Sequence, residues 1–182
     1  MITWYDAIET PMGWTGALAS VQGLRRTTLP QATPDECLAL LGPEVSSSEH
    51  TPGQFTRVRD DLLRLFDGEP VAFDGHDIDV GDAPPFHRAA WLACRSIPVG
   101  ETRSYSWLAA MAGRASGARA AGQSMARNRL PLVIPCHRVI ASDGGMGGYG
   151  SCSNQLGLKR WLLDVEAGRT PSALQQVLAL TR

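Results

Sequence analysis

The stretch Asn128-Arg129-Leu130-Pro131-Leu132-Val133-Ile134-Pro135-Cys136-His137-Arg138-Val139-Ile140 carries an apolar run that ends in Pro-Cys-His-Arg and opens onto a Gly-rich loop. A cysteine buried for packing alone would continue the apolar pattern. Cys136 is instead followed by His137 and Arg138, two groups that can favour a thiolate. A sulfur nucleophile needs a neighbouring base and cationic surroundings. Cys136 therefore reads as a reactive thiol, with an inert core cysteine as the alternative.

Downstream, Leu158, Trp161/Leu162 and Val165 form the apolar stripe of a helix that Gly168 closes. Glu166 falls in its last turn, where the helix dipole disfavours a carboxylate. A cationic or hydrogen-bonding partner would offset that cost, and His137 is one candidate. A Cys136–His137–Glu166 relay would follow: the glutamate orients the imidazole and the imidazole takes the thiol proton.

Upstream, Ser104-Tyr105-Ser106-Trp107-Leu108-Ala109-Ala110-Met111, then Gly113, then a helix from near Ser116 suggest a helix-turn-helix. Arg119 would occupy the first turn of the second helix, an unfavourable place for a cation. Either a phosphate-rich ligand compensates it or an exposed arginine tolerates the cost. Further upstream, Phe86, Ala89/Ala90, Ala93/Cys94 and Ile97 make one helical stripe, which assigns Cys94 to the core. The acidic stretch from Asp77, closed by Pro84-Pro85, reads as a linker. The expected division is a first domain over 1–80, a linker over 81–85 and a second domain over 86–182.

The first domain reads as α/β. Ala17–Val21 and Gly23–Leu29 look like strands joined at Gln22-Gly23. Thr33-Pro34-Asp35-Glu36 has the form of a helix start with a capping box, and a second helix is expected from about Gln54 to Phe66. Nothing here offers a catalytic cluster.

The net charge of −1 conceals an asymmetry: residues 1–85 carry 5 Lys/Arg and 14 Asp/Glu, residues 86–182 carry 12 and 4. Either the two halves attract one another, or the basic half meets a polyanion such as nucleic acid. No apolar run approaches the roughly 18 residues of a membrane helix. Met1–Asp6 lacks the layout of a signal peptide, so a cytoplasmic protein is expected. The four cysteines (Cys37, Cys94, Cys136, Cys152) contain no CxxC pair, and the four histidines form no spaced cluster with them. Free thiols, no metal and no cofactor are expected.

Pro135-Cys136-His137-Arg138-Val139 resembles the active-site motif of the O6-alkylguanine-DNA alkyltransferases, also called methylated-DNA–protein-cysteine methyltransferases. The resemblance runs in order through Phe86…Trp91, Ile97-Pro98-x-Gly100-Glu101-Thr102-x-Ser104-Tyr105, Arg119-Ala120-x-Gly122, Asn128, Pro131 and Lys159…Leu162-Leu163…Glu166, and so spans residues 84–168. The first 80 or so residues resemble the family's divergent amino-terminal domain only loosely. The resemblance implies a ribonuclease-H-like α/β amino-terminal domain. It implies a mainly α, winged-helix-like carboxy-terminal domain that contains the helix-turn-helix.

It also implies a reaction: direct, stoichiometric and irreversible transfer of the alkyl group from O6-alkylguanine to Cys136, with O4-alkylthymine as a second candidate lesion. The partner would be double-stranded DNA, bound by a monomer through the minor groove, whose code is degenerate and so suits a reader of damage. Arg119 matches the finger that fills the gap left by the flipped nucleotide, with Ala118, Ala120, Gly122 and Ser142 beside it on DNA. Flipping is required because the alkylated oxygen lies inside the duplex. Phosphate contacts would make affinity salt-dependent. Tyr105 matches a residue that crowds the phosphate and donates to the guanine ring. Asn128 matches a hinge residue, and His137 and Glu166 match the relay that acts on Cys136 through a bound water. The Val139 and Cys136 carbonyls would accept from the guanine amine, with Tyr149 capping a pocket that Met125 and Pro131 also line.

One departure stands out. Tyr149 and Lys159 are separated by nine residues, Gly150 to Leu158, three more than the family usually has, and the usual Gly-Gly pair is absent. Either the insertion is tolerated or the pocket accepts bulkier adducts. Cys152, in this loop, is a second thiol or a bystander. Three rival functions use fewer of these features. A non-catalytic lesion binder would lack the acceptor cysteine. A winged-helix regulator would leave Pro135–Arg138 unused, and a cysteine hydrolase would not need Arg119.

Overall fold

The computed structural model describes residues 2–150 and 155–169. The chain forms two compact units: Met1–Val80 with Arg129–Val133, and Gly81–Asn128 with Ile134–Arg182.

In the first unit, β1 (Thr3–Thr10), β2 (Gly13–Ser20) and β3 (Gly23–Thr27) form an antiparallel meander, and β4 (Glu49–His50) lies parallel to β1, giving the order β3-β2-β1-β4. Both hairpin turns end in a glycine that the geometry demands. Gly13 has φ +112 and Gly23 φ +132, and a Cβ on either would stand 2.4 Å from a carbonyl oxygen, of Gln31 and Asp77 respectively. The strand β1 was not expected. Its apolar alternation is interrupted by Asp6, which is buried as an ion-pair hub. The Asp6 carboxylate takes hydrogen bonds from Arg59 (2.6 Å) and the Ala7 amide (2.9 Å) and meets His50 Nε2 at 3.1 Å.

The helix α1 (Pro34–Leu41) begins at the expected capping box: Glu36 N donates to Thr33 Oγ1 (3.2 Å) and Thr33 N to Glu36 Oε2 (3.3 Å). It buries Cys37 and Leu41. After a 3₁₀ turn at Pro52–Phe55, α2 (Thr56–Phe66) buries Val58, Leu62, Leu65 and Phe66, a helical spacing.

Two stretches differ from expectation. Asp77–Asp79 is no free linker: Leu24 N donates to Asp77 O (2.9 Å) and Asp79 N to Leu24 O (2.7 Å), so the segment lies alongside β3. Its acidity has a structural use, because the buried Asp79 carboxylate accepts from Ser20 Oγ and Arg25, each at 2.6 Å. Pro84 flanks and Pro85 opens the next helix, so the proline pair is a helix start. Residues 129–133 group with the first unit, where Thr27 N donates to Arg129 O (2.9 Å) and Thr27 Oγ1 to Pro131 O (2.8 Å). Leu132 there sits at φ +73, which costs roughly 1–2 kcal/mol for an L-residue.

The second unit packs α3 (Pro85–Arg95), α4 (Tyr105–Met111) and α5 (Ala118–Ala126) against one another, with α6 (Leu156–Glu166) against the turn that carries Cys136. A short parallel pair, β5 (Arg103–Ser104) and β6 (Val139–Ile140), joins the segment before α4 to the segment after Cys136. Trp91 Nε1 donates to Ser124 O (2.9 Å), and Ser124 Oγ meets His87 Nδ1 at 2.7 Å, which locks α3 to α5. Ser104 caps α4 by accepting from Trp107 N (3.1 Å). The helix α5 begins at Ala118, close to the expected start near Ser116, after a turn in which Gly117 N donates to Arg114 O at 2.8 Å. Cys94 is fully buried, as its stripe implies.

Candidate active site

Cys136, His137 and Arg138 form one 3₁₀ turn at the end of the apolar run, and all three are buried. The helix α6 brings its last residue, Glu166, against that turn. His137 Nε2 lies 2.8 Å from Glu166 Oε1, so the two expected relay members meet. Arg138 also goes to Glu166: Nε lies 2.9 Å from Oε2 and Nη2 2.7 Å from Oε1, while Nη1 donates to Ile97 O (2.7 Å). The Gly100 amide adds a weaker donor at 3.3 Å to Oε2. Burial works against the Glu166 anion, but the bonds from His137 and Arg138 prevail and hold its pKa at about 2.

This corrects the sequence reading of Arg138. Its fork is spent on Glu166, and the cation that favours the Cys136 thiolate is Lys159. Burial nevertheless dominates at Cys136 and pushes the thiol up from its ordinary value, against Asn128 and Lys159. Cys136 is thus a neutral thiol at rest and needs a base. Asn128 Nδ2 donates both to Cys136 Sγ (3.2 Å) and to Ile134 O (2.9 Å), bracing the Ile134 backbone and the sulfur together. His137 Nδ1 is buried with no hydrogen-bond partner among the described residues. Burial lowers the His137 pKa, against the pull of Glu166, so a neutral imidazole faces the site.

Lys159 is the functional candidate that the sequence reading passed over. It is 0% exposed, and its ammonium donates to Val139 O (2.7 Å) and to Met146 O, pinning the Gly-rich loop to β6. Burial lowers its pKa to about 8. The available signal was a polar stripe on α6: Gln155, Lys159 and Glu166 recur at helical spacing and all are buried.

The remaining candidates are placed as follows. Tyr105 opens α4 and packs on Gly147, whose Cβ would stand 2.8 Å from the phenol oxygen; Gly122 of α5 lies on the same ring at ordinary contact distance. Tyr149 is buried, its ring edge-on to His137 at 6.4 Å between centroids. Val139 is buried with its carbonyl shared by Lys159, and the Cys136 carbonyl accepts the Val139 amide. Met125 is buried at the end of α5. Arg119 is exposed in the first turn of α5 as expected, between partly exposed Ala118 and Ala120. Ser142 is exposed, 3.5 Å from Ser106 Oγ. Pro131 belongs to the first unit. Cys152 and Ser151–Asn154 lie outside the described residues.

Among the described residues, no group of three His, Cys, Asp or Glu side chains is arranged to hold a metal. None of their helices is long and apolar enough to cross a membrane.

The model of the family described as "6-O-methylguanine DNA methyltransferase, DNA binding domain" matches residues 85–168. The methylated-DNA–protein-cysteine methyltransferase of Mycobacterium tuberculosis is 39% identical over 123 residues, covering 68% of this chain and 72% of that one. The mouse protein of the same name is 32% identical over 187 residues, covering 97% and 87%. The crystal structure of Mycobacterium tuberculosis OGT in complex with DNA superposes with a TM-score of 0.77 at 31% identity, over 96% of this chain and 98% of that one.

Proposed function

Because the chain belongs to the methylated-DNA–protein-cysteine methyltransferase family, we propose that it repairs double-stranded DNA by moving the alkyl group of O6-alkylguanine onto Cys136. The observation that carries the assignment to this sulfur is the bonded chain around it: Asn128 on Sγ at 3.2 Å, and His137 on Glu166 at 2.8 Å.

These contacts support the following sequence of steps. Glu166 accepts a hydrogen bond from His137 Nε2–H, which leaves Nδ1 as the lone-pair nitrogen. The Cys136 thiol proton passes to Nδ1, in this family through a bridging water. The sulfur attacks the alkyl carbon, the carbon–O6 bond breaks and the electron pair stays with the guanine. The proton held on His137 then restores neutral guanine. Asn128 and Lys159 stabilise the thiolate as it forms. The thioether product has no leaving group, so each molecule reacts once. O4-alkylthymine is a second candidate substrate.

On DNA, α5 serves as the minor-groove helix. Its small residues Ala118, Ala120 and Gly122 permit close approach, exposed Arg119 fills the gap left by the flipped nucleotide, and Ser142 lies at the phosphates. Tyr105, Met125, Val139 and Tyr149 receive the flipped base, Tyr105 donating to its ring and the Val139 and Cys136 carbonyls accepting from its amine. The sheet order, a meander with a parallel edge strand, supports a ribonuclease-H-like first domain; α4, α5 and the β5–β6 pair support a winged-helix-like second one. We propose in addition that it acts as a monomer in the cytoplasm.

The test is intact mass after incubation with duplex DNA carrying O6-methylguanine. One methyl adduct on Cys136, absent in Cys136→Ala, is expected. Lesion binding without an adduct would refute transfer.

A further inference from the structure

The carboxylate of Glu166 is surrounded only by donors: His137 Nε2, Arg138 Nε and Nη2, and the Gly100 amide. Among the described residues no acceptor is bonded to it to receive a carboxylic proton, so Glu166 is ionised. The Arg138 guanidinium, itself only 7% exposed, balances that charge within the same buried cluster. His137 therefore bonds to a carboxylate whose charge is already matched.

We propose that Arg138 is a positioning residue of the transfer reaction: by clamping and neutralising Glu166, it keeps His137 a neutral base with its Nδ1 lone pair open to the Cys136 proton. This rests on the relay proposed above and assigns the motif's arginine a role in it.

The physical argument is one of charge balance. An isolated buried carboxylate bonded to an imidazole would draw a proton onto the ring, because an unmatched buried charge is costly. The imidazole would then rest as imidazolium, unable to accept the thiol proton as pH falls. Among the described residues around Cys136 and His137, α6 contributes Glu166 and Lys159, the turn contributes Cys136 and Arg138, the Gly-rich loop contributes Tyr149, α4 contributes Tyr105 and α3 contributes Cys94. Burial opposes a charged ring most strongly, Glu166 favours one, and Arg138 and then Lys159 oppose it. Lys159 holds two carbonyls and makes no bond to Glu166, so it cannot replace the clamp. The fork matters as well as the charge: Nη1 on Ile97 O fixes the guanidinium plane, which a lysine would not reproduce.

Two measurements test this on the full-length protein. In the wild type, imidazole ¹⁵N shifts of His137 should report the neutral Nε2–H tautomer from pH 6 to 8. An imidazolium at pH 7, or the Nδ1–H tautomer, would overturn the proposal without any variant. Single-turnover transfer rates are then followed against pH for Arg138→Met and Arg138→Lys. The methionine variant should shift its acid limb upward by about one pH unit or more, which is about a tenfold loss at acid pH, with a smaller loss at pH 8.5. The lysine variant should keep the limb in place while losing rate. Equal losses at every pH in both variants would leave Arg138 a merely structural residue and overturn the proposal. His137→Gln separates the two levels. Wild-type transfer by that variant overturns the relay and this inference together; an inactive His137→Gln beside an unmoved limb in Arg138→Met overturns this inference alone.

Discussion

Replacing Glu166 by glutamine preserves the shape of the side chain but turns one of its acceptors into a donor. In the folded protein that amide faces Arg138 Nε, Arg138 Nη2 and the Gly100 amide, which are donors, and His137 Nε2, a donor in the Nε2–H tautomer. Arg138 also loses its counter-ion while buried. Breaking a buried pair from one side costs about 3–5 kcal/mol. The acid–base properties lead to a similar figure by a separate route. The folded-state pKa of Glu166 is depressed from 4.5 to about 2, which corresponds to about 3 kcal/mol of stability at neutral pH. For a chain of this size that is a fall in Tm of roughly 6–12 °C. Because the folded pKa is the lower one, this stability is present above about pH 4.5 and lost as pH falls towards 2. The gap between wild type and Glu166→Gln in urea unfolding should therefore be full at pH 6–7, shrink below pH 4.5 and close near pH 2. A gap of the same size at every pH, or one below about 1 kcal/mol at pH 7, would refute the reasoning.

Three further outcomes are expected. Asn128→Ala removes the donor to Cys136 Sγ; the thiol pKa should rise further and transfer should slow by roughly ten- to a hundredfold, one lost hydrogen bond to a charged sulfur being worth roughly 1.5–3 kcal/mol, as measured by single-turnover kinetics. Lys159 has its folded pKa lowered to about 8 from 10.5, so the folded state sheds its proton first and wild type should gain stability over Lys159→Met between those pH values; a flat difference in denaturation would contradict this. Gly147→Ala puts a Cβ at φ +62 and 2.8 Å from the Tyr105 phenol oxygen, so it should lower Tm by a few degrees, for roughly 1–2 kcal/mol of backbone strain, and slow transfer, whereas Gly144→Ala, with nothing within 4 Å of its Cβ, should carry the backbone strain alone.

Local signals were legible wherever one segment satisfies itself. The capping box at Thr33 and Glu36 is closed within four residues, and the apolar stripes of α3 and α6 declare their buried faces by spacing alone. Cys136 stood out because Pro-Cys-His-Arg breaks the apolar run before it, and Arg119 because a first-turn cation is locally unfavourable. Misreadings arose where a charge finds its partner across the fold. Asp6 hides β1 from a pattern search because its partners are His50 and Arg59, and Asp79 looked like linker because its partners are Ser20 and Arg25.

Cys136 and His137, adjacent in the chain, together with an α6 that ends in Glu166, were determined by the sequence itself, since composition and helical period belong to the chain. Only the tertiary structure decided which cation serves which anion. It gave Arg138 to Glu166 and left Lys159, 23 positions after Cys136, as the cation that favours the sulfur. The physical reason is that a buried charge is stable only against a partner at bonding distance, and that distance is set by how α6 packs on the turn, not by position along the chain.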